Sequence, residues 1–133
     1  SNSTDRFSFY TKINKAKKEN EFKEIKNELR DRYGHIPKEA LFFIRLAELS
    51  ALYKGSLVNT IAINERSLVF KLPSKLTSGE NKLISNILLY KSNFVVEKKF
   101  KEGTDSVSVV FFTKKGYDWY KELNDCNTLF YKT

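Results

Sequence analysis

One cysteine, one histidine, one tryptophan and no methionine occur among the 133 residues, with only two prolines and five glycines. A single thiol, Cys126, excludes an intramolecular disulfide framework and a thiolate-rich zinc site. Its closest basic residues are Lys121 and Lys132, so no adjacent charge marks it as a reactive nucleophile. The lone His35 follows Gly34 with no second histidine to share a metal and no cysteine nearby, which makes it a turn residue rather than a ligand or base. Neither GxxxxGK[ST] nor GxGxxG is present, so the chain has no phosphate-cradling loop and is not expected to bind ATP itself. A small enzyme would need a converging acid, base or metal set, and none can be assembled from these residues. No cofactor is expected.

Long apolar runs are missing too. Nothing approaches the roughly 18 to 20 residues of a membrane span, and no secretory leader pattern is present, so a soluble, cytoplasmic, monomeric protein without membrane contact is expected. The first residues, Ser1 Asn2 Ser3, read as the scar of a cleaved affinity tag. Residues 1–4 are therefore set apart as a tag remnant, and 5–133 are read as one domain excised from a larger protein, with a helical part over 5–55 and an α+β part over 56–133. The low Pro and Gly content and 41% hydrophobic residues argue against long disordered stretches.

What is abundant is basic charge: 24 Lys and Arg against 16 Asp and Glu, a net charge of +8. A basic nucleic-acid-binding module using Lys98, Lys99, Lys101, Lys114 and Lys115 is one reading of that surplus. Against it, the lysines are spread along the chain, interleaved with acids, and outnumber the arginines that make bidentate phosphate or base contacts. The aromatics Phe111, Phe112, Tyr117, Trp119 and Tyr120 fall at strand and helix spacing and read as core rather than as base-stacking platforms.

Periodicity predicts an α+β fold: three N-terminal helices, then a small, mainly antiparallel sheet of about four strands with two further helices. Phe9, Ile13 and Ala16 mark a first helix over Asp5 to Lys18, with Asp5 as its N-cap. Phe22, Ile25, Leu29 and Tyr33 mark a second, stopped by Gly34 and Pro37. A third begins with Pro37 in its first turn and runs to about Lys54, with apolar residues on more than one stripe, so several covered sides are expected. Beyond Gly55 the pattern reads as strand, strand, helix, twice over. The strands are Val58 to Asn64, Ser67 to Leu72, Phe94 to Phe100 and Val107 to Thr113, with a loop over Glu102 to Asp105. The helices open at Ser78 and at about Lys114, the last presenting Trp119, Tyr120 and Leu123 to the core. No residue-level repeat accompanies this symmetry.

The second helix carries Glu21, Glu24, Glu28 and Asp31 at steps of three, four and three. That spacing places four anions on one face, where they repel, and Asp31 stands in the last turn, where the helix dipole disfavours a negative charge. Two accounts fit. The stripe is a solvated face relieved by Lys17, Lys18 or Lys23, or it is a docking surface for an arginine-rich partner.

A longer pattern surrounds the stripe: Arg6 Phe7 Ser8 Phe9 Tyr10 Thr11, then Glu28 Leu29 Arg30 Asp31 Arg32 Tyr33 Gly34 His35 Ile36 Pro37, then Leu46 Ala47 Glu48 Leu49. The combination resembles the start of the C-terminal domain of bacterial transcription-repair coupling factors. That family has a Ser-Phe-Tyr helix, a helix ending Glu-Leu-x-Asp-Arg-aromatic-Gly-x-x-Pro, and a helix with an Ala-Glu-Leu or Ala-Arg-Leu segment. Phe7 replaces the family's leucine and Thr11 a frequent basic residue, and beyond Val58 only the order of elements is similar. The resemblance implies a regulatory part of an ATP- and magnesium-dependent DNA translocase whose partners are stalled RNA polymerase, DNA and the damage-recognition ATPase of excision repair. In that role the domain packs on an N-terminal repair-helicase-like module of the same polypeptide and hides its recruitment surface. Carried over by motif position, Glu28 and Asp31 become the docking residues, with Glu24 and Glu21 extending their face.

Overall fold

A computed structural model describes the backbone of residues 2–90, 93–101 and 104–131, with side chains for 6–90, 93–99 and 106–131. The chain divides into two compact units, Ser1–Lys54 and Gly55–Thr133. The element order is the expected one: three helices, a four-stranded antiparallel sheet, and two further helices.

The first unit holds α1 (Asn2–Lys15), α2 (Glu19–Tyr33) and α3 (Lys38–Tyr53). Apolar residues three and four apart put one stripe of each helix into a shared core of Phe9, Ile13 and Ala16 from and just beyond α1, Phe22, Ile25 and Leu29 from α2, and Ala40 and Ile44 from α3. Two expected boundaries of α1 move. Asp5 is not the N-cap, since the helix already starts at Asn2 and nothing in residues 2–4 breaks it. The helix also ends at Lys15 rather than Lys18, because Lys17 and Lys18 lead into α2 and Lys18 is extended at φ −114°, ψ 151°.

Gly34 does what its lack of a side chain allows: at φ 78° it closes α2, its N–H donating to Arg30 O at 2.8 Å. Pro37 is the N-cap of α3 rather than part of its first turn, since its ψ of 142° is not helical, and its carbonyl accepts from Leu41 N at 2.9 Å. On α3, burial reaches Ala40, Ile44, Leu49 and Tyr53, whereas Phe42 and Phe43 remain 47% and 41% exposed. The expected covering on several sides is thus incomplete.

The second unit holds β1 (Thr60–Ile63), β2 (Ser67–Leu72), α4 (Ser78–Tyr90), β3 (Phe94–Lys101), β4 (Thr104–Phe112), α5 (Trp119–Cys126) and a closing 3-10 turn, Asn127–Phe130. Strand order is β1-β2-β4-β3. The register sets Leu68 opposite Phe111, Phe70 opposite Val109 and Phe94 opposite Phe111, so alternate residues form one buried apolar face. Phe130, fully buried, stacks on Phe70 at 4.5 Å and 27°.

Three boundaries here depart from expectation. β1 is shorter than Val58 to Asn64. β4 begins at Thr104, paired with Lys101, so Thr104 and Asp105 are strand rather than loop, and residues 102 and 103 lie outside the described residues. The last helix starts at Trp119 instead of Lys114 because Gly116, at φ 80°, interrupts the chain, and Asp118 then caps α5 by accepting from Lys121 N at 3.1 Å. The Tyr117 hydroxyl donates towards Asn64 O (2.8 Å) and Ser67 O (3.0 Å), tying this turn to the β1–β2 hairpin.

Candidate docking site

At about 100° per residue, Phe22, Ile25 and Leu29 point one way along α2, and Glu21, Glu24, Glu28 and Asp31 fall within an arc of about 80° beside them. Glu21 and Glu28 flank the buried stripe and are half-buried; Glu24 and Asp31 lie further round and are exposed. The acidic residues do share a face, and that face is open.

Their surroundings differ. Lys12 Nζ, reaching across from α1, donates to both carboxylate oxygens of Glu28 at 3.0 Å each. The two side chains are 47% and 42% exposed, so the pair is a surface ion pair contributing about 0.2–1 kcal/mol. Glu28 is therefore relieved by this unit itself, though by Lys12 and not by Lys17, Lys18 or Lys23. No such relief reaches the other three: among the described residues, no hydrogen bond or ion pair engages the side-chain carboxylate of Asp31, Glu24 or Glu21.

The arginines flanking Asp31 in sequence are directed elsewhere. Arg30 Nη1 donates to Asn27 Oδ1 at 3.3 Å, and the Arg32 guanidinium lies 5.4 Å from the centroid of the Phe9 ring, which Lys12 Nζ also approaches at 5.4 Å. These cations suit the last turn of α2, where carbonyls point outward; Asp31 does not. On the far side of the helix, Lys26 Nζ meets Glu48 Oε1 of α3 at 3.1 Å, a half-buried pair that fixes α2 against α3 and holds the acidic face outward.

The lysines of the nucleic-acid reading do not converge. Lys98 stands opposite Val107, whereas Lys114 and Lys115 follow Phe112 at the other end of β4. The strand steps from Val107 to Phe112 alone span about 17 Å. Lys115 pairs with Glu65 at 3.3 Å, and the side chain of Lys101 lies outside the described residues. His35 is exposed in the α2–α3 turn and Cys126 is buried. Among the described residues no group of three or more His, Cys, Asp or Glu could hold a metal ion, and no helix is long and apolar enough to cross a membrane.

One contact escaped sequence reasoning. Lys12 could have been placed near Glu28 only with the α1–α2 packing in hand, since they are 16 residues apart and share no helix.

Comparison with known proteins places the chain in context. The family model for the TRCF domain matches residues 1–83. The backbone is similar to a solved structure described as the C-terminal domain of transcription-repair coupling factor, with 15% identity, a TM-score of 0.57, and coverage of 93% of this chain and 75% of that one. No curated protein matches the chain.

Proposed function

The chain belongs to the TRCF domain family, and from that premise we propose that it is a regulatory domain of a transcription-repair coupling factor, docking through the acidic face of α2 on a cationic module of the same polypeptide. In this reading the parent is an ATP- and magnesium-dependent translocase that displaces stalled RNA polymerase from DNA in the cytoplasm. The docked domain covers the surface by which the N-terminal repair-helicase-like module recruits the damage-recognition ATPase of excision repair. The domain is a latch and has no catalytic step of its own.

One observation carries the reading: Asp31 and Glu24 present exposed carboxylates with no partner among the described residues, on a helix face where neighbouring anions and the helix dipole both disfavour them. Such groups form charge-assisted bonds of about 1.5–3 kcal/mol each when a cationic partner dries the contact. Two such bonds bias a closed over an open state by more than a hundredfold, enough for a switch.

The test is made in the full-length protein. Glu28→Lys combined with Asp31→Lys should expose the masked surface and raise binding of the damage-recognition ATPase. Asp31 is exposed and Glu28, half-buried, gives up only a surface ion pair with Lys12, so folding should survive, which circular dichroism checks. Unchanged binding by a folded double variant would overturn the latch.

A further inference from the structure

The sheet ends in two unequal edges. β1 offers four residues, Thr60–Ile63, whereas β3 offers eight, Phe94–Lys101. β3 pairs with β4 residue for residue, from Phe94 opposite Phe111 to Lys101 opposite Thr104, so no bulge bends it, and it contains no proline. Along its other side alternate residues point their N–H and C=O groups outward, and among the described residues no strand pairs with them. Such a row is matched in spacing and direction by the backbone of another extended chain.

The side chains divide the strand in two. Phe94, Val95 and Val96 are apolar, and Val95 is 43% exposed although Val110, opposite it, is buried. Glu97, Lys98 and Lys99 are charged and exposed. The β4 residues opposite these three are Ser108, Val107 and Ser106, so neither lysine meets an acid across the ladder. Among the described residues no hydrogen bond or ion pair engages either ammonium group.

The apolar half has further apolar surface at its end. α4 packs against β3, with Tyr90 its last residue and Phe94 the first of the strand. In the last turn of α4, Leu88 and Leu89 are 38% and 84% exposed. Backbone direction, an apolar end and a basic end thus lie in one line.

We infer that the free edge of β3 is a docking site for an extended segment of a partner protein, added antiparallel as a fifth strand, with acidic residues opposite Lys99 and Lys98 followed by β-branched residues opposite Val96, Val95 and Phe94. Lysines on an edge reject strands of like charge and accept acidic ones. A second copy of this chain is a poor occupant: both carry +8, and the two longest two-fold registers set Glu97 against Glu97 or Lys98 against Lys98. The site is independent of the acidic face of α2 and has the opposite charge preference, so the two readings stand or fall separately.

The probe is a synthetic, N-acetylated peptide containing Glu-Glu-Thr-Val-Ile-Val, compared with Lys-Lys-Thr-Val-Ile-Val and with the reversed order Val-Ile-Val-Thr-Glu-Glu. Each is titrated into the 15N-labelled 133-residue chain, with affinity read by fluorescence anisotropy. The first peptide should shift amides of β3 and the end of α4, slow hydrogen exchange along β3, and bind at least about tenfold tighter than either of the others. Lys98→Glu with Lys99→Glu should invert the preference between glutamate and lysine peptides, while Lys17→Glu with Lys18→Glu, an equal charge change in the helical unit, should leave it in place. Leu89→Ser, at a position too exposed to matter for folding, should weaken the first peptide about three- to tenfold. Because alternate residues of an added strand donate to β3, of two peptides N-methylated at alternating positions one should lose binding and the other keep it. No binding at about 1 mM peptide, shifts that spare β3, or equal binding by the two N-methylated peptides would each overturn the assignment. So would a chain that dimerises through β3 in sedimentation equilibrium, which would give the edge to a second copy.

Discussion

Lys12 provides a sharp test of the docking account, because it is a cation whose removal should strengthen binding to a cationic partner. Its ammonium holds both oxygens of Glu28 at 3.0 Å, so an incoming arginine must displace it before using that carboxylate. An exposed pair of this kind contributes about 0.2–1 kcal/mol. Lys12→Gln should therefore tighten docking by a factor of about 1.4 to 5. Asp31→Asn removes a carboxylate with no internal competitor and should weaken docking by about ten- to a hundredfold, the equivalent of one charge-assisted bond of about 1.5–3 kcal/mol. Glu28→Gln should fall between no effect and that loss, since part of its interaction is already spent on Lys12. The assay is titration of a fluorescent 133-residue chain with the separately expressed N-terminal module at fixed, low salt. Because Lys12 also lies over the Phe9 ring, each variant is first checked for native helicity. If folded Lys12→Gln binds more weakly, as Asp31→Asn does, then Lys12 is part of the contact surface and the competition argument is wrong.

Leu29→Ala, at a position 1% exposed in the helical core, should cost about 2–5 kcal/mol in urea unfolding monitored by circular dichroism. Phe130→Ala removes a fully buried ring stacked on Phe70 and should cost about 3–5 kcal/mol, read in near-ultraviolet circular dichroism of the sheet unit. Tyr117→Phe deletes the hydroxyl shared by Asn64 O and Ser67 O and should lower stability by about 0.5–1.5 kcal/mol in the same urea assay. Burial pushes the Tyr117 phenol above its ordinary pKa, and burial followed by the Glu39 carboxylate does the same to Tyr10. A raised folded-state value favours the protonated fold, so this contribution is complete below about pH 10. It should be lost as pH climbs through the folded values, with phenolate absorbance rising later in the folded than in the unfolded chain.

The sequence carried the fold well where a local cause decides the outcome. Gly34 followed by Pro37 separates α2 from α3 by backbone geometry alone, and the change of period after Gly55 marks the transition to sheet. It failed where the cause is distant or small. The start of α5 depended on Gly116 taking a left-handed turn and on Tyr117 reaching the β1–β2 hairpin, 50 residues or more away in sequence. The opening of α4 at Ser78 is as expected, and the cause is local: Thr77 and Glu80 cap each other's backbone N–H at 3.3 and 3.2 Å, a capping box. The acidic face was legible as a pattern from its spacing. Which carboxylates are free to bind was not, because that depends on Lys12 arriving from another helix.

Electrostatic docking of α2 is measured most directly by the residues that respond when the N-terminal module is added to the 15N-labelled chain. The account predicts amide shifts centred on Glu24 to Asp31 that fade as salt approaches about 0.5 M, where screening falls to a few ångströms. Shifts that spare α2, or that persist undiminished at that salt, would contradict it.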